Sequence, residues 1–290
     1  MRTDEAPIEG LYRPLRWWRE IIYIVAMYLV YSAIRNLFGS AAVPPPRALG
    51  NAEHVIAVER HLGLFHELAI QQWFLPYEEV VRFWNIYYGS FHFFVTAAAL
   101  AWMYRSFPWR YAAWRNTLAI MTGLALIGFA FFPLMPPRLL NVPTCGQPVG
   151  AFADTTQTCS DYGGGTWAEE QYGFVDTLKE IGGLWSFDSG TVASISNQYA
   201  AMPSLHIGWS TWCAFVLVPQ LRRRWAKVLA ILYPIATLLC IMLTANHYWI
   251  DGVGGLVVLG LGWVLGSRLA RLRGVRAVAA AEESAQPSPG

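Results

Sequence analysis

Charge is what this sequence has least of. Asp, Glu, Lys and Arg make up 14% of its 290 residues, where a soluble domain carries about a quarter. Apolar side chains make up 55% and fall in long runs. The two facts together exclude an ordinary soluble domain and place the chain among integral membrane proteins. Cysteine is also scarce. Of the four, Cys213 and Cys240 fall inside apolar runs and read as packing residues, which leaves Cys145 and Cys159 as the one pair for a disulfide. No internal repeat is visible. The glycine run 163–165 is not followed by a helix pattern, so it reads as a turn and not as a phosphate loop.

The long apolar runs carry the architecture. Spanning a bilayer takes about 20 mostly apolar residues in a helix. Six segments qualify, at 21–38, 80–104, 113–134, 205–220, 225–245 and 250–267, the fourth and sixth being short. The stretch "YRPLRWWRE" before the first lacks a small-residue cleavage site, and the run after it is too long for a signal-peptide core, so it reads as a retained helix. The basic residues agree with six spans. Fifteen of the 21 Lys and Arg sit in four alternate connections, the N-terminal tail, the second–third and fourth–fifth loops and the C-terminal tail. By the excess of Lys and Arg on the cytoplasmic side, both termini are expected to be cytoplasmic. The arginine clusters therefore read as topology signals, and no nucleic-acid partner is expected.

The expected fold class is an all-α integral membrane protein with six transmembrane helices. Residues 1–20 form a cytoplasmic tail, 21–268 the catalytic membrane domain, and 269–290 a cytoplasmic tail, partly disordered through "AEESAQPSPG". The opposite face receives three connections. Residues 39–79 open on "AAVPPPRALGN" and continue as an amphipathic, interfacial helical segment, with His54, His61 and His66 on its polar face. Residues 135–202 form a long extracytoplasmic loop in an oxidising compartment, where a Cys145–Cys159 disulfide is expected. The third connection is the short "NHYW" corner.

Polar residues gather at that face. His206 opens the fourth span, His247 and Asp251 mark the corner between the fifth and sixth, and Arg138 ends the third. Ionisable residues at the edge of the hydrocarbon are costly and tend to mark functional sites. Residues four apart share a helix face. Asp251 can therefore accept from one ring nitrogen of His247 and leave the other as a lone-pair nucleophile. His206, from another helix, is placed to act as a general acid. Arg138 can clamp an anion through its fork. Ser204 and the N–H groups that open the fourth span offer a second anion site. Two imidazoles, a carboxylate, an arginine and a helix N-terminus suit phosphoryl transfer through a phosphohistidine. A bland reading stands beside this one: His247 and Asp251 tie two helix ends together, and Ser204 is only a helix cap.

The pair "PSLH" and "HYWID" resembles the P-S-x-H and H-x-x-x-D motifs of the phosphatidic acid phosphatase type 2 superfamily. "PPRLL" and "NIYYGSFHF" are similar to its inositol-phosphorylceramide-synthase-type branch. The resemblance covers most of residues 80–265. It implies six helices, no metal or other cofactor, His247 as nucleophile, Asp251 as its orienter, His206 as the acid, and Arg138 and Ser204 as phosphate ligands. His92 and Tyr88 are expected near the site, behind the residues that touch phosphate. Two family cations are missing: Phe131 stands at the position of a lysine, and Cys240 and Ile241 at that of a Ser-Arg pair.

The expected function is thus a membrane enzyme that transfers or hydrolyses the phosphoryl group or phospho-headgroup of a lipid phosphate or phosphodiester at the extracytoplasmic face. Its expected partners are a lipid phosphate or phospholipid substrate, surrounding membrane lipids and a candidate alcohol acceptor. The alternatives are a plain phosphatase for a polyprenyl or diacylglycerol phosphate, and a zinc-dependent hydrolase that uses His206, His247 and Asp251 as ligands. A transporter would carry charges near mid-membrane and broken helices, whereas here the polar residues collect at one edge.

Overall fold

The computed structural model describes residues 16–38, 45–140, 172–183 and 199–285. Among these the regular elements are helices, and the only extended pairing is a single bridge between Leu134 and Ala200. In chain order they are α1 (Trp17–Phe38), α2 (Pro45–His61), α3 (Glu67–Phe74), α4 (Glu78–Ser106), α5 (Pro108–Phe131), a short 3-10 turn (Pro137–Leu139), α6 (Thr177–Glu180), α7 (Leu205–Leu217), α8 (Arg224–Leu243) and α9 (Trp249–Ala285). Cys145 and Cys159 lie outside the described residues.

Helices stand at each of the six predicted positions, as α1, α4, α5, α7, α8 and α9. Among the described residues, three stretches are long and apolar enough to cross a membrane: α5, α8 and Trp249–Leu269 of α9. α7 has 13 residues, which at 1.5 Å per residue reaches only about 20 Å. α5 starts earlier than its apolar run because Pro108 occupies its first turn, where a fixed φ and a missing N–H cost nothing. α9 continues to Ala285, well past the predicted end at residue 267. The added stretch is rich in Ala, Leu, Arg and Glu, strong helix formers, and meets no proline before Pro287.

Large apolar side chains point outward along α1 (Ile21, Ile24, Leu29), α8 (Leu229, Leu232, Ile235) and α9 (Val253, Val257, Leu261). An apolar surface of this extent on a helix bundle suits a lipid environment. Inside, one core joins Met103, Met121, Trp212, Val216 and Leu259 from α4, α5, α7 and α9. Glycine sets how closely these helices approach. A Cβ on Gly262 of α9 would meet the Thr117 carbonyl of α5 at 2.8 Å, and one on Gly255 would overlap the Ser204 carbonyl at the start of α7. At the far end, Glu20 of α1 holds Arg115 of α5 at 2.5 Å and accepts from the Tyr111 hydroxyl at 3.0 Å.

The other end of the bundle is roofed. α2 buries Ala48, Ala52, Val55, Ile56 and Glu59, the i, i+4, i+7, i+8 pattern of an amphipathic helix. His54, His61 and His66 remain exposed. The buried face packs on Leu134, Leu139, Phe174 and Tyr248 as a second core. Residues 172–183 are pinned beside it. Gln71 of α3 exchanges two hydrogen bonds with the backbone of Val175, at 2.8 and 2.9 Å. Asn85 of α4 donates to the carbonyls of Thr177 and Gly182, both at 2.8 Å, and accepts from the Thr177 hydroxyl.

Candidate active site

Three helices and one interhelical corner place the polar residues under that roof. His206 lies in the first turn of α7, Asp251 in the first turn of α9, and His247 in the corner that joins α8 to α9. Tyr88 and His92 come from α4, successive on one face. The His206 and His247 rings are 5.5 Å apart between centroids. Tyr88 stacks on His206 at 4.2 Å, and His92 lies 4.2 Å from His206 on another side. The structure therefore brings together His206, His247, Asp251, Tyr88 and His92, residues up to 163 positions apart, in one cluster, with His247 and Asp251 buried and the other three half-buried.

The hydrogen bonds assign the tautomers. His247 Nδ1 faces the Ala201 carbonyl at 2.9 Å and Asp251 Oδ2 at 3.3 Å. Both are acceptors, so Nδ1 carries the proton and Nε2 holds the lone pair. Nε2 is buried and has no hydrogen-bond partner among the described residues. A buried nitrogen left in this state costs free energy unless a ligand uses it. Asp251 is itself held, since its Oδ2 also accepts the Tyr248 N–H at 2.9 Å. His206 Nε2 meets the Tyr88 carbonyl at 3.3 Å, so Nε2 donates there and Nδ1 is the exchangeable position.

Arg138 is buried against the same corner. Its backbone N–H donates to the Ala245 carbonyl at 2.8 Å, and its Nε donates to Asn246 Oδ1 at 3.0 Å. Its Nη1 pairs with Asp176 Oδ2 at 2.5 Å. The sequence reading gave Arg138 an anion to clamp, and in the structure part of its fork already holds a carboxylate. These contacts also brace a strained bend. Ala245 has φ 51°, in the left-handed region, which costs an alanine about 1–2 kcal/mol. Such strain is held by its surroundings and is concentrated at functional sites. Ser204 caps α7 through a long 3.5 Å contact from the Ile207 N–H, and its own N–H donates to the Asp251 carbonyl at 2.9 Å. That contact ties the start of α7 to the start of α9.

The matching family model is that of the PAP2 superfamily, and it spans residues 53–265. The chain belongs to the PAP2 superfamily. No curated protein and no solved structure matches it. Members of the PAP2 superfamily are phosphatases, so membership supports phosphatase or phosphotransferase activity on phosphate esters and a lipid phosphate as substrate in general. The matched span runs from α2 to α9 and includes every residue of the site described above.

Several site residues escaped sequence reading. Ala201 offers only a backbone carbonyl, which no residue pattern reveals. Asp176 and Asn246 engage Arg138 through folding alone. Glu59 and Glu67 sit in a segment whose charges read as solvent-facing, yet both are fully buried. Among the described residues no three His, Cys, Asp or Glu side chains converge as a metal site.

Proposed function

We propose that this PAP2-superfamily protein is a membrane enzyme that transfers or hydrolyses the phosphoryl group or phospho-headgroup of a lipid, through a phosphohistidine on His247. The observation that carries this reading is the His247 ring, with Nδ1 committed to Asp251 and Ala201, a bare buried Nε2, and the second imidazole of His206 one ring away. His247 Nε2 attacks phosphorus while the bond from phosphorus to the leaving oxygen breaks. The leaving oxygen takes a proton from the His206 imidazolium. Asp251 stabilises the positive charge that grows on His247. Water or a second alcohol then attacks phosphorus, gives its proton to His206, and releases His247. Arg138 and the N–H groups that open α7 stabilise the equatorial oxygens. The reaction as written needs no metal.

The substrate is amphipathic, because the site lies under an interfacial roof at one end of an apolar bundle. Six spans, cytoplasmic termini and an extracytoplasmic site fit the distribution of arginine, with the Glu20–Arg115 pair at the opposite end of the bundle. The choice between transfer and hydrolysis leans toward transfer, on the likeness of "PPRLL" and "NIYYGSFHF" to the synthase-type branch and on the two missing phosphatase cations.

The test is a panel of lipid phosphates and phospholipids given to the purified protein in detergent, with released phosphate and new lipid species both measured. His247→Ala and His206→Ala each lower turnover by about three orders of magnitude or more while circular dichroism is unchanged. A folded His247→Ala protein that keeps more than about a tenth of the rate overturns the mechanism.

A further inference from the structure

Glu59 of α2 and Glu67 of α3 are both fully buried, and both reach the first turn of α9. Glu59 Oε1 accepts the Ile250 N–H at 2.9 Å, and Glu67 Oε1 accepts the Trp249 N–H at 3.2 Å. These two N–H groups stand between His247 and Asp251 in sequence. A helix start normally takes its cap from its own chain just before it. Here the caps come from two carboxyls 182 and 191 residues away. The remaining oxygens, Glu59 Oε2 and Glu67 Oε2, are buried and bonded to no N–H or O–H of the described residues. The two carboxyls cap adjacent amides of one helix turn, so they stand side by side with those two oxygens unsatisfied. Two carboxylates buried side by side repel and have no hydrogen to share, whereas a carboxylic acid and a carboxylate can hydrogen-bond.

We propose that Glu59 and Glu67 share one proton and serve as a positioning pair that fixes the first turn of α9, and with it the His247–Asp251 geometry. The inference rests on the proposed function for what the geometry is used for, but not for the pair itself. Charge explains the arrangement. The start of α9 favours negative charge, but Asp251 already supplies one there. A second full charge from each glutamate would be costly without water. One shared proton leaves a single negative charge to cap two N–H groups.

The groups around Glu59 agree. Glu67 faces it from α3, Asp251 from α9, and Tyr248 from the corner, with Tyr172 near the same cluster. Arg60, next to Glu59 in sequence, places its guanidinium over the rings of Phe65 and Tyr172, at 5.2 and 5.7 Å. Burial, and then the bond with Glu67, push the Glu59 carboxyl from its ordinary 4.5 up to about 9. The sign follows from linkage. A carboxyl raised in the folded state lends stability that is whole below its ordinary value and is lost as pH rises through about 9.

The test uses the full chain in lipid nanodiscs, with Glu59→Gln and Glu59→Ala beside the wild type. In Glu59→Gln the amide oxygen still accepts the Ile250 N–H and the amide N–H replaces the shared proton. Infrared titration should show a protonated carboxyl in the wild type that persists above neutral pH, disappears near pH 9 and is missing from Glu59→Gln. Hydrogen exchange at the Trp249 and Ile250 amides should stay slow in Glu59→Gln and accelerate at least about tenfold in Glu59→Ala. With a lipid phosphate, Glu59→Ala should lose about tenfold or more in kcat with KM within about threefold. Glu59→Gln should restore most of kcat and remove its alkaline decline. No carboxyl difference between wild type and Glu59→Gln, or equally fast exchange in both variants, overturns the pair. If the wild type turns over no phosphate ester, the proposed function fails, while the infrared and exchange results still decide the pair.

Discussion

Arg138 and Asp176, 38 residues apart, form a buried ion pair directly above the corner that carries His247. Asp176 also caps α6, accepting from the Lys179 N–H at 3.3 Å. The carboxylate thus sits on the guanidinium that the mechanism assigns to phosphate. Substrate phosphate then either shares the fork or displaces Asp176. Asp176→Asn keeps the helix cap but leaves a buried cation without its partner, which should cost roughly 3 kcal/mol. An anion in the site should recover part of that loss. Vanadate is therefore expected to raise the melting temperature of Asp176→Asn by more than it raises that of the wild type. Equal shifts would mean that Arg138 only braces the corner.

What could be read in the sequence was what has short range. Apolar runs put a helix at each of the six expected places, and spacing four apart put Asp251 behind His247. That His206, Tyr88 and His92 would meet them rested on a shared membrane depth and a resemblance. What could not be read was side-chain pairing across the fold. Glu59 and Glu67 look like the polar face of an interfacial helix, because nothing local tells a buried carboxyl from an exposed one. Asp176 lies in a loop whose pattern has no period. Arg138 therefore read as a lone clamp, when it is also a strut for Asn246 and Ala245.

Chelation separates the two chemistries that His206, His247 and Asp251 could support. A phosphohistidine enzyme keeps its activity in EDTA and is inhibited by vanadate, whose trigonal-bipyramidal form resembles the transition state. The expected outcome is unchanged turnover after dialysis against EDTA, with inhibition by vanadate well below millimolar. Activity lost on chelation and restored by zinc would instead favour the metallohydrolase.

Gly255 gives a test of the spacing between the two histidines. A side chain there would run into the Ser204 carbonyl, two residues before His206, whereas Gly260 on the same helix has open space around its Cβ position. Gly255→Ala should push α7 away from α9, cost about 1–3 kcal/mol of stability and lower kcat at least tenfold, by the sensitivity of phosphoryl transfer to roughly 1 Å misplacement. Gly260→Ala should be neutral or stabilising by up to about 1 kcal/mol. Matched effects in the two variants would show that the close approach at Gly255 does not set the site.

Transfer and hydrolysis differ in what reaches the phosphohistidine. Water at about 55 molar competes with any acceptor, so transfer requires shielding and an oriented alcohol. Residues 172–183 of the roof bring Asp176 to Arg138, and Asn85 anchors them, with two carbonyls and a hydroxyl in its grip. Asn85→Ala leaves those carbonyls without their donor and loosens the segment at its α6 end, while Gln71 still holds Val175. If the roof excludes water, the ratio of hydrolysed to transferred product should rise several-fold in Asn85→Ala, with substrate consumption much less affected. The measurement is product distribution by mass spectrometry, with a series of acceptor alcohols added to wild type and variant. Should no acceptor alter the products of the intact enzyme, the transferase reading fails and the enzyme is a lipid phosphatase. In that case loosening the roof should change only how fast product leaves.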